Sequence, residues 1–301
     1  MRSLFIDCNH QLEPIFHRVH RPDDPPVTIH TAPWQAEDLP RLLDGYEICL
    51  DDHSYLPTEW IARCPSLRHV VFLGTGAASY MDVAALQARG VAVHTIRGYG
   101  DTAVAEHTIA LMFACARDIA RMDRAIRADA WKPLEGLQLQ GKTLGLIGLG
   151  GIGREVARIA TGIGMKVVGW NRTMLENPPV PMLALDALLS SADVISLHLA
   201  LSDETRHFLD AERIGRLRPG AILINTARGG LIDEAALLRA LESRQIGHAG
   251  LDVFDIEPLR GDHPFCRLEN VTLTAHSAYR TVEASMTLLR RGIDIVRKIR
   301  R

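Results

Sequence analysis

The stretch Thr143-Leu144-Gly145-Leu146-Ile147-Gly148-Leu149-Gly150-Gly151-Ile152-Gly153-Arg154 decides how this chain folds. Leu144–Ile147 reads as an apolar strand, and a helix reads from Arg154 to Thr161. Between them Gly148, Gly150 and Gly153 spell GxGxxG. Glycine-rich turns are common, so the motif alone says little. Between a strand and a helix it has a mechanism. Glycines let the backbone turn tightly and approach a pyrophosphate, while the helix N-terminus directs amide donors and a positive dipole end at that anion. Gly148, Gly150, Gly151, Ile152 and Gly153 are therefore assigned to a dinucleotide. The alternative is a purely structural turn.

Downstream, strands are predicted at Lys166–Trp170, Val194–Leu199, Ala221–Asn225, Ala249–Val253 and Val271–Thr274. They alternate with helices at Asp186–Ser191, Asp210–Arg216 and Glu234–Ser243. Upstream, strands read at Leu4–Cys8, Glu47–Leu50, His69–Leu73 and Val91–Ile96, with helical segments at Ala36–Leu43, Thr58–Cys64 and Val83–Arg89. Residues 14–33, rich in proline and polar groups, read as loop. A single long helix is expected from Thr102 to Asp129, capped by Asp101, and an amphipathic helix from Thr281 to Ile299. Alternating β and α segments imply parallel sheets crossed by helices. The fold class is α/β, with two Rossmann/flavodoxin-like domains of parallel sheet joined by a long interdomain helix. Residues 1–97 plus 280–301 are expected to form a substrate domain and 98–279 a dinucleotide-binding domain.

The composition excludes several function classes. Thirty-four basic and 36 acidic side chains leave a net charge of -2, which gives no reason to expect nucleic acid or an anionic membrane as partner. No run approaches the ~18 apolar residues of a membrane span. The five cysteines are scattered and form no ligand spacing, so no metal is expected and a cytoplasmic location is.

The end of the second cofactor strand bears on which dinucleotide binds. A carboxylate about 20 residues past the fingerprint commonly holds the ribose 2′-hydroxyl of NAD. Here the chain reads Asn171-Arg172-Thr173. Asn171 removes the charge that repels a 2′-phosphate, Arg172 offers a guanidinium fork and Thr173 a hydroxyl. This favours NADP(H). In the alternative, Asn171 bonds the ribose of NAD(H) and Arg172 is a surface charge.

Three more segments each close a predicted strand with a reactive group: Asn225–Gly230 with Arg228, Asp252–Pro258 with Glu257, and Thr274–Ser277 with His276. Ligands of open parallel sheets bind beyond the carboxyl ends of strands, so these groups can converge. Singly, each also reads as a surface arginine, a loop acid or a core histidine.

From about residue 67 onward the chain resembles the D-isomer-specific 2-hydroxyacid dehydrogenases. The resemblance rests on Val104–Met112 (VAEHTIALM), Gly148–Gly153, Val194–Leu199 (VISLHL), Asn225–Asp233, and Leu251–Pro258 with His276. It implies an oxidoreductase that moves a hydride between NADP(H) or NAD(H) and a small 2-keto/2-hydroxy acid. Arg228 would hold the substrate carboxylate, His276 would protonate the carbonyl oxygen, and Glu257 would orient the imidazole. Asp252 would meet the nicotinamide carboxamide. Thr205 and Ala227, with His198, Thr226 and Ser277, would line the cofactor cleft. Gly74-Thr75-Gly76 would bring backbone amides to the carboxylate. The resemblance further implies a homodimer, built largely on the helix that carries VAEH, and closure about hinges near Ile96–Gly98 and Tyr279–Thr281.

Arg172 and the compact length are most similar to the NADPH-preferring glyoxylate/hydroxypyruvate reductases. Tyr279, where family members carry a small residue, bears on pocket shape. Two alternatives share the fold: a catalytically silent NAD(H)-sensing binding protein, and a phosphite- or formate-type dehydrogenase.

Overall fold

Strands covered on both faces are written as nearly continuous apolar runs, and every strand pair in this chain is parallel. A computed structural model describes all residues, 1–301. They divide into two units, Met1–Gly100 with Arg280–Arg301, and Asp101–Tyr279.

In the first unit β1 (Ser3–Phe5), β2 (Thr28–Ile29), β3 (Ile48–Asp51), β4 (His69–Phe72) and β5 (Ala92–Thr95) pair in the order β2-β1-β3-β4-β5. This is the flavodoxin-like order. Helices α1 (Leu12–Val19), α2 (Leu39–Leu42), α3 (Thr58–Ile61) and α4 (Val83–Ala88) connect the strands. One face packs Leu4, Ile6, Cys49, Val70 and Phe72 against Leu39, Leu56 and Leu86. The other packs Phe5, Leu50, Val71 and Leu73 against Phe16 of α1 and against Leu288, Leu289, Ile293 and Val296 of the last helix.

In the second unit β6 (Thr143–Ile147), β7 (Lys166–Trp170), β8 (Val194–Leu197), β9 (Ala221–Asn225), β10 (Ile246–Leu251) and β11 (Val271–Leu273) pair in the order β11-β10-β9-β8-β6-β7. A parallel bridge from Gly169 to Met182 adds a vestigial strand beyond β7. With that strand the order is the Rossmann one, and its direction reverses beside β6. Its helices are α5 (Asp101–Ala116), α6 (Ile119–Arg127), α7 (Gly151–Gly162), α8 (Leu185–Ser191), α9 (Ala211–Gly215) and α10 (Glu234–Glu242). The C-terminal α11 (Val282–Ile299) returns to the first unit. No helix is long and apolar enough to cross a membrane.

Two sequence expectations are corrected. The segment read as loop, residues 14–33, carries most of α1 and all of β2. Leu12, Phe16 and Val19 form the buried stripe of α1, and Pro14 lies in its first turn, where a missing N–H leaves no bond unmade. The long helix expected from Thr102 to Asp129 is broken. Asp118 sits at φ 48°, ψ 35° between α5 and α6. Aspartate tolerates this left-handed conformation, and its carboxylate faces His248 Nδ1 at 3.6 Å.

Thr281 caps α11 by accepting from the Ala284 amide at 3.1 Å. Charge then pins the helix across the sheet. Asp24, its carboxylate buried, accepts from both terminal nitrogens of Arg290, at 2.6 and 2.7 Å, and from Arg297 at 2.6 Å. The Arg290 fork holds the Asp24 carboxyl well below the usual carboxylate range. A carboxyl depressed by folding stabilises above its unfolded pKa, and that stabilisation is lost as pH falls toward the folded value. Asp24→Asn is therefore expected to lose about 2–3 kcal/mol at pH 7. The deficit, followed by urea unfolding, should shrink as pH is lowered below about 4. A deficit independent of pH would contradict the assignment.

Candidate active site

Each glycine of the fingerprint meets a different constraint. Gly148 turns at φ +102°, and a Cβ there would lie 2.5 Å from the His198 carbonyl oxygen. A Cβ on Gly153 would lie 2.1 Å from the Gly148 carbonyl oxygen, so α7 closes directly onto the strand end. On Gly151 it would run into the Asp101 carboxylate, 1.8 Å away. Beside Gly150 there is nothing within 4 Å. Gly150 precedes the first turn of α7 in extended conformation, so open space adjoins the helix's unpaired amides. A pyrophosphate fits that cradle. Ile152 lies half-buried in the same turn. His198 bonds Ser196 Oγ at 3.0 Å, and desolvation pushes its imidazole down to about 4.

At the end of β7 the Asn171 side chain works internally. Its Oδ1 accepts from the Leu149 amide at 3.3 Å and its Nδ2 donates to the Thr173 carbonyl at 2.8 Å. Asn171 thereby ties the glycine turn to the turn that carries Arg172. The Arg172 guanidinium pairs with Glu204. The Thr205 hydroxyl donates to the Ala200 carbonyl at 2.7 Å and accepts from the Ser202 amide at 2.7 Å, closing the turn that presents Glu204.

Three strand ends supply the reactive groups. Beyond β9, buried Asn225 accepts from the Ala227 amide at 3.0 Å and donates to the Arg228 carbonyl at 2.9 Å. Thr226 bonds Thr108 of α5 at 2.8 Å. Together these contacts pin the Arg228 turn. Gly229 then lets that turn touch the next loop, since a Cβ there would lie 1.9 Å from the Phe254 carbonyl carbon. The Glu257 loop is thus held against the Arg228 turn. Arg228 is half-buried, and its Nη1 donates to the Ala227 carbonyl at 2.6 Å.

Glu257 Oε1 accepts from the Phe254 amide at 3.0 Å, and Oε2 meets His276 Nδ1 at 2.6 Å. Burial pushes the Glu257 carboxyl up. The hydrogen bond from His276, the Phe254 amide and the charge of Arg228 outweigh it and hold the group below its ordinary range. Glu257 is therefore ionised at neutral pH. His276 sits at φ 49°, a conformation that costs about 1 kcal/mol or more and persists only when its surroundings impose it.

Asp252 imposes it. Fully buried at the end of β10, its carboxylate accepts from Thr274 Oγ1 at 2.6 Å, the Ser277 amide at 3.0 Å and the Ala278 amide at 2.9 Å. His107 of α5 lies 3.5 Å from it and bonds Thr274 at 3.0 Å. The Asp252 carboxylate, expected from the sequence to meet a carboxamide, is engaged by these protein donors. The group faces inward, and the Ser277 amide serves it.

Arg228, Glu257 and His276 therefore gather at one edge of the second unit. Gly74, Thr75 and Gly76 belong to the first unit, where they follow β4. Thr75 Oγ1 donates to the Ile96 carbonyl at 3.3 Å, and Gly74 packs on the Phe72 ring, which a Cβ would approach to 2.7 Å. Sequence reasoning missed Asn225, Gly229, His107 and Glu204. The first two stand within the Asn225–Gly230 motif. Their backbone task becomes visible only when the Phe254 loop lies beside them.

The family model for the NAD binding domain of D-isomer specific 2-hydroxyacid dehydrogenases matches residues 109–278. The chain is 42% identical to the hydroxypyruvate reductase of Thermotoga maritima, over 73% of this chain and 72% of that one. It is 34% identical to the glycerate dehydrogenase of Methylorubrum extorquens, over 89% and 87% respectively. A crystal structure of a glyoxylate reductase from Paecilomyes thermophila superposes with a TM-score of 0.83 at 30% identity, covering 99% of this chain and 95% of that one.

The glycine test separates structure from ligand. Gly153→Ala, which drives a Cβ into backbone, should lower unfolding stability by about 1–3 kcal/mol. Gly150→Ala should stay within about 0.5 kcal/mol of wild type yet weaken dinucleotide binding in a fluorescence titration. Undiminished binding by the Gly150 variant would remove the cradle assignment.

Proposed function

The chain belongs to the D-isomer specific 2-hydroxyacid dehydrogenase family, and from that membership we propose that it reduces glyoxylate, hydroxypyruvate or a similar small 2-keto acid, with NADP(H) preferred over NAD(H). At the coarser level it is an NAD(P)-dependent oxidoreductase acting on 2-keto and 2-hydroxy acids. The observation that carries the proposal is the His276–Glu257 pair beside the Arg228 turn, in the same unit as the glycine cradle.

When bound, the dinucleotide supplies the hydride. The amides around Gly150 would hold its pyrophosphate, and the turn after β7 its adenosine ribose. Arg228 carries a planar fork of donors that cannot lose its charge, suited to a substrate carboxylate and to the polarised keto oxygen. His276 is bound to Glu257 through Nδ1, so Nε2 is the atom that delivers a proton to that oxygen in reduction and takes it back in oxidation. Ionised Glu257 fixes the ring and balances the imidazolium. The substrate assignment draws on the names of the relatives: hydroxypyruvate reductase, glycerate dehydrogenase and glyoxylate reductase. The NADP(H) assignment draws on Asn171, which replaces a carboxylate, and on its neighbour Arg172.

His276→Ala should lower kcat by at least about a hundredfold with little change in NADPH affinity. Arg228→Ala should raise KM for the keto acid and lower kcat together. A mild phenotype at either position contradicts the assignment. Turnover of glyoxylate, hydroxypyruvate, pyruvate, phenylpyruvate and 2-ketoisocaproate with each dinucleotide tests the finer reading. Preference for the large apolar acids would end it.

A homodimer is part of the same proposal. Helix α6 buries none of its residues. Around it Phe113, Ile119, Ile126 and Trp131 are exposed, Trp131 by 86%. Apolar groups this concentrated mark a surface that another protein covers, and a symmetric pair of chains is the commonest solution. Light scattering should give twice the mass of one chain, and Ile126→Glu with Trp131→Glu should halve it. A monomeric wild type would refute this part.

A further inference from the structure

The carboxylate that the end of β7 lacks is supplied by a different loop. Asn171 is spent on Leu149 and Thr173, so Arg172 is the remaining group at this strand end with a charge to offer a cofactor. Glu204 holds its guanidinium. Glu204 comes from the turn after β8, the strand on the opposite side of β6 from β7. That turn is fixed by the Thr205 hydroxyl and by the Arg206 amide, which donates to the Ser202 carbonyl at 2.9 Å. Both partners are largely exposed, at 71% and 75%, so the pair contributes little to stability. Its effect is on what binds there.

We infer that Glu204 sets the choice between the two dinucleotides by occupying Arg172. The inference rests on the cofactor reading of this strand end. Arg172 alone would present an uncompensated cation, to which a 2′-phosphate is strongly attracted. With Glu204 in place the pair is neutral, and a 2′-phosphate meets a competing carboxylate of its own sign. A ribose 2′-hydroxyl meets no such repulsion and finds an acceptor within the same pair. Glu204 thus lowers the NADP(H) preference that Arg172 confers.

The test uses the full chain and direct binding. Dissociation constants for NADPH and NADH are measured by nicotinamide fluorescence for wild type, Glu204→Gln, Arg172→Ala and the double variant. Glu204→Gln keeps the side-chain length and removes the charge. It should tighten NADPH relative to NADH by about tenfold, the order expected for one nearby charge. The gain should vanish in the Arg172→Ala background, because the effect acts through the guanidinium. A Glu204→Gln ratio equal to wild type overturns the inference, as does a gain that survives without Arg172. Wild type binding NADH more tightly than NADPH would defeat the NADP(H) preference yet leave the inference intact if the Glu204→Gln shift appears. Binding of neither dinucleotide by wild type overturns both.

Discussion

Asp252 carries a carboxylate into a site with no exposure, and a buried charge must find donors or neutralise itself. Its donors are the Thr274 hydroxyl and the amides of Ser277 and Ala278. Those amides can reach it only if the chain reverses at His276, so the demand of the buried anion places the imidazole at positive φ. The Asp252 carbonyl accepts from the His276 amide at 2.8 Å and completes the clamp. His107 links this clamp to α5, a helix that also bonds the Arg228 turn through Thr108. One helix thus supports two of the three strand ends that bear reactive groups.

Parallel pairing explains why those ends lie together. Strands that run the same way finish at the same edge, and the connections back to the other edge are helices. The sheet brings β9, β10 and β11 side by side in that order. Backbone contact at Gly229 then draws two of the loops closer than side chains would permit. An imidazole–carboxylate pair and a guanidinium-bearing turn thus share one edge, and the fold brings this about with one glycine and one buried aspartate.

Much of this was legible in the sequence, for physical reasons. The apolar runs and the glycine turn are local signals, and the strands they predict lie within a few residues of those observed. Arg228, Glu257 and His276 follow strands, so a parallel sheet sufficed to bring them to one edge. What escaped reading depends on distant neighbours. Asp118 breaks a periodic apolar stretch through one backbone angle, which composition does not record. The clamp on Asp252 is made by amides that come after it by about 25 residues. The pairing of Arg172 with Glu204 has no local signal either, since the two lie 32 residues apart.

The first unit is assembled from both ends of the chain, with α11 covering a sheet face formed by residues nearly the whole chain length earlier. During synthesis that face, with Phe5, Leu50, Val71 and Leu73, is covered only in part, by α1, until α11 emerges. The second unit is contiguous and can close as soon as its own residues emerge. Synthesis therefore completes the units in the reverse of the order in which they begin. The waiting sheet is the part of the nascent polypeptide most exposed to chaperone capture or misassembly.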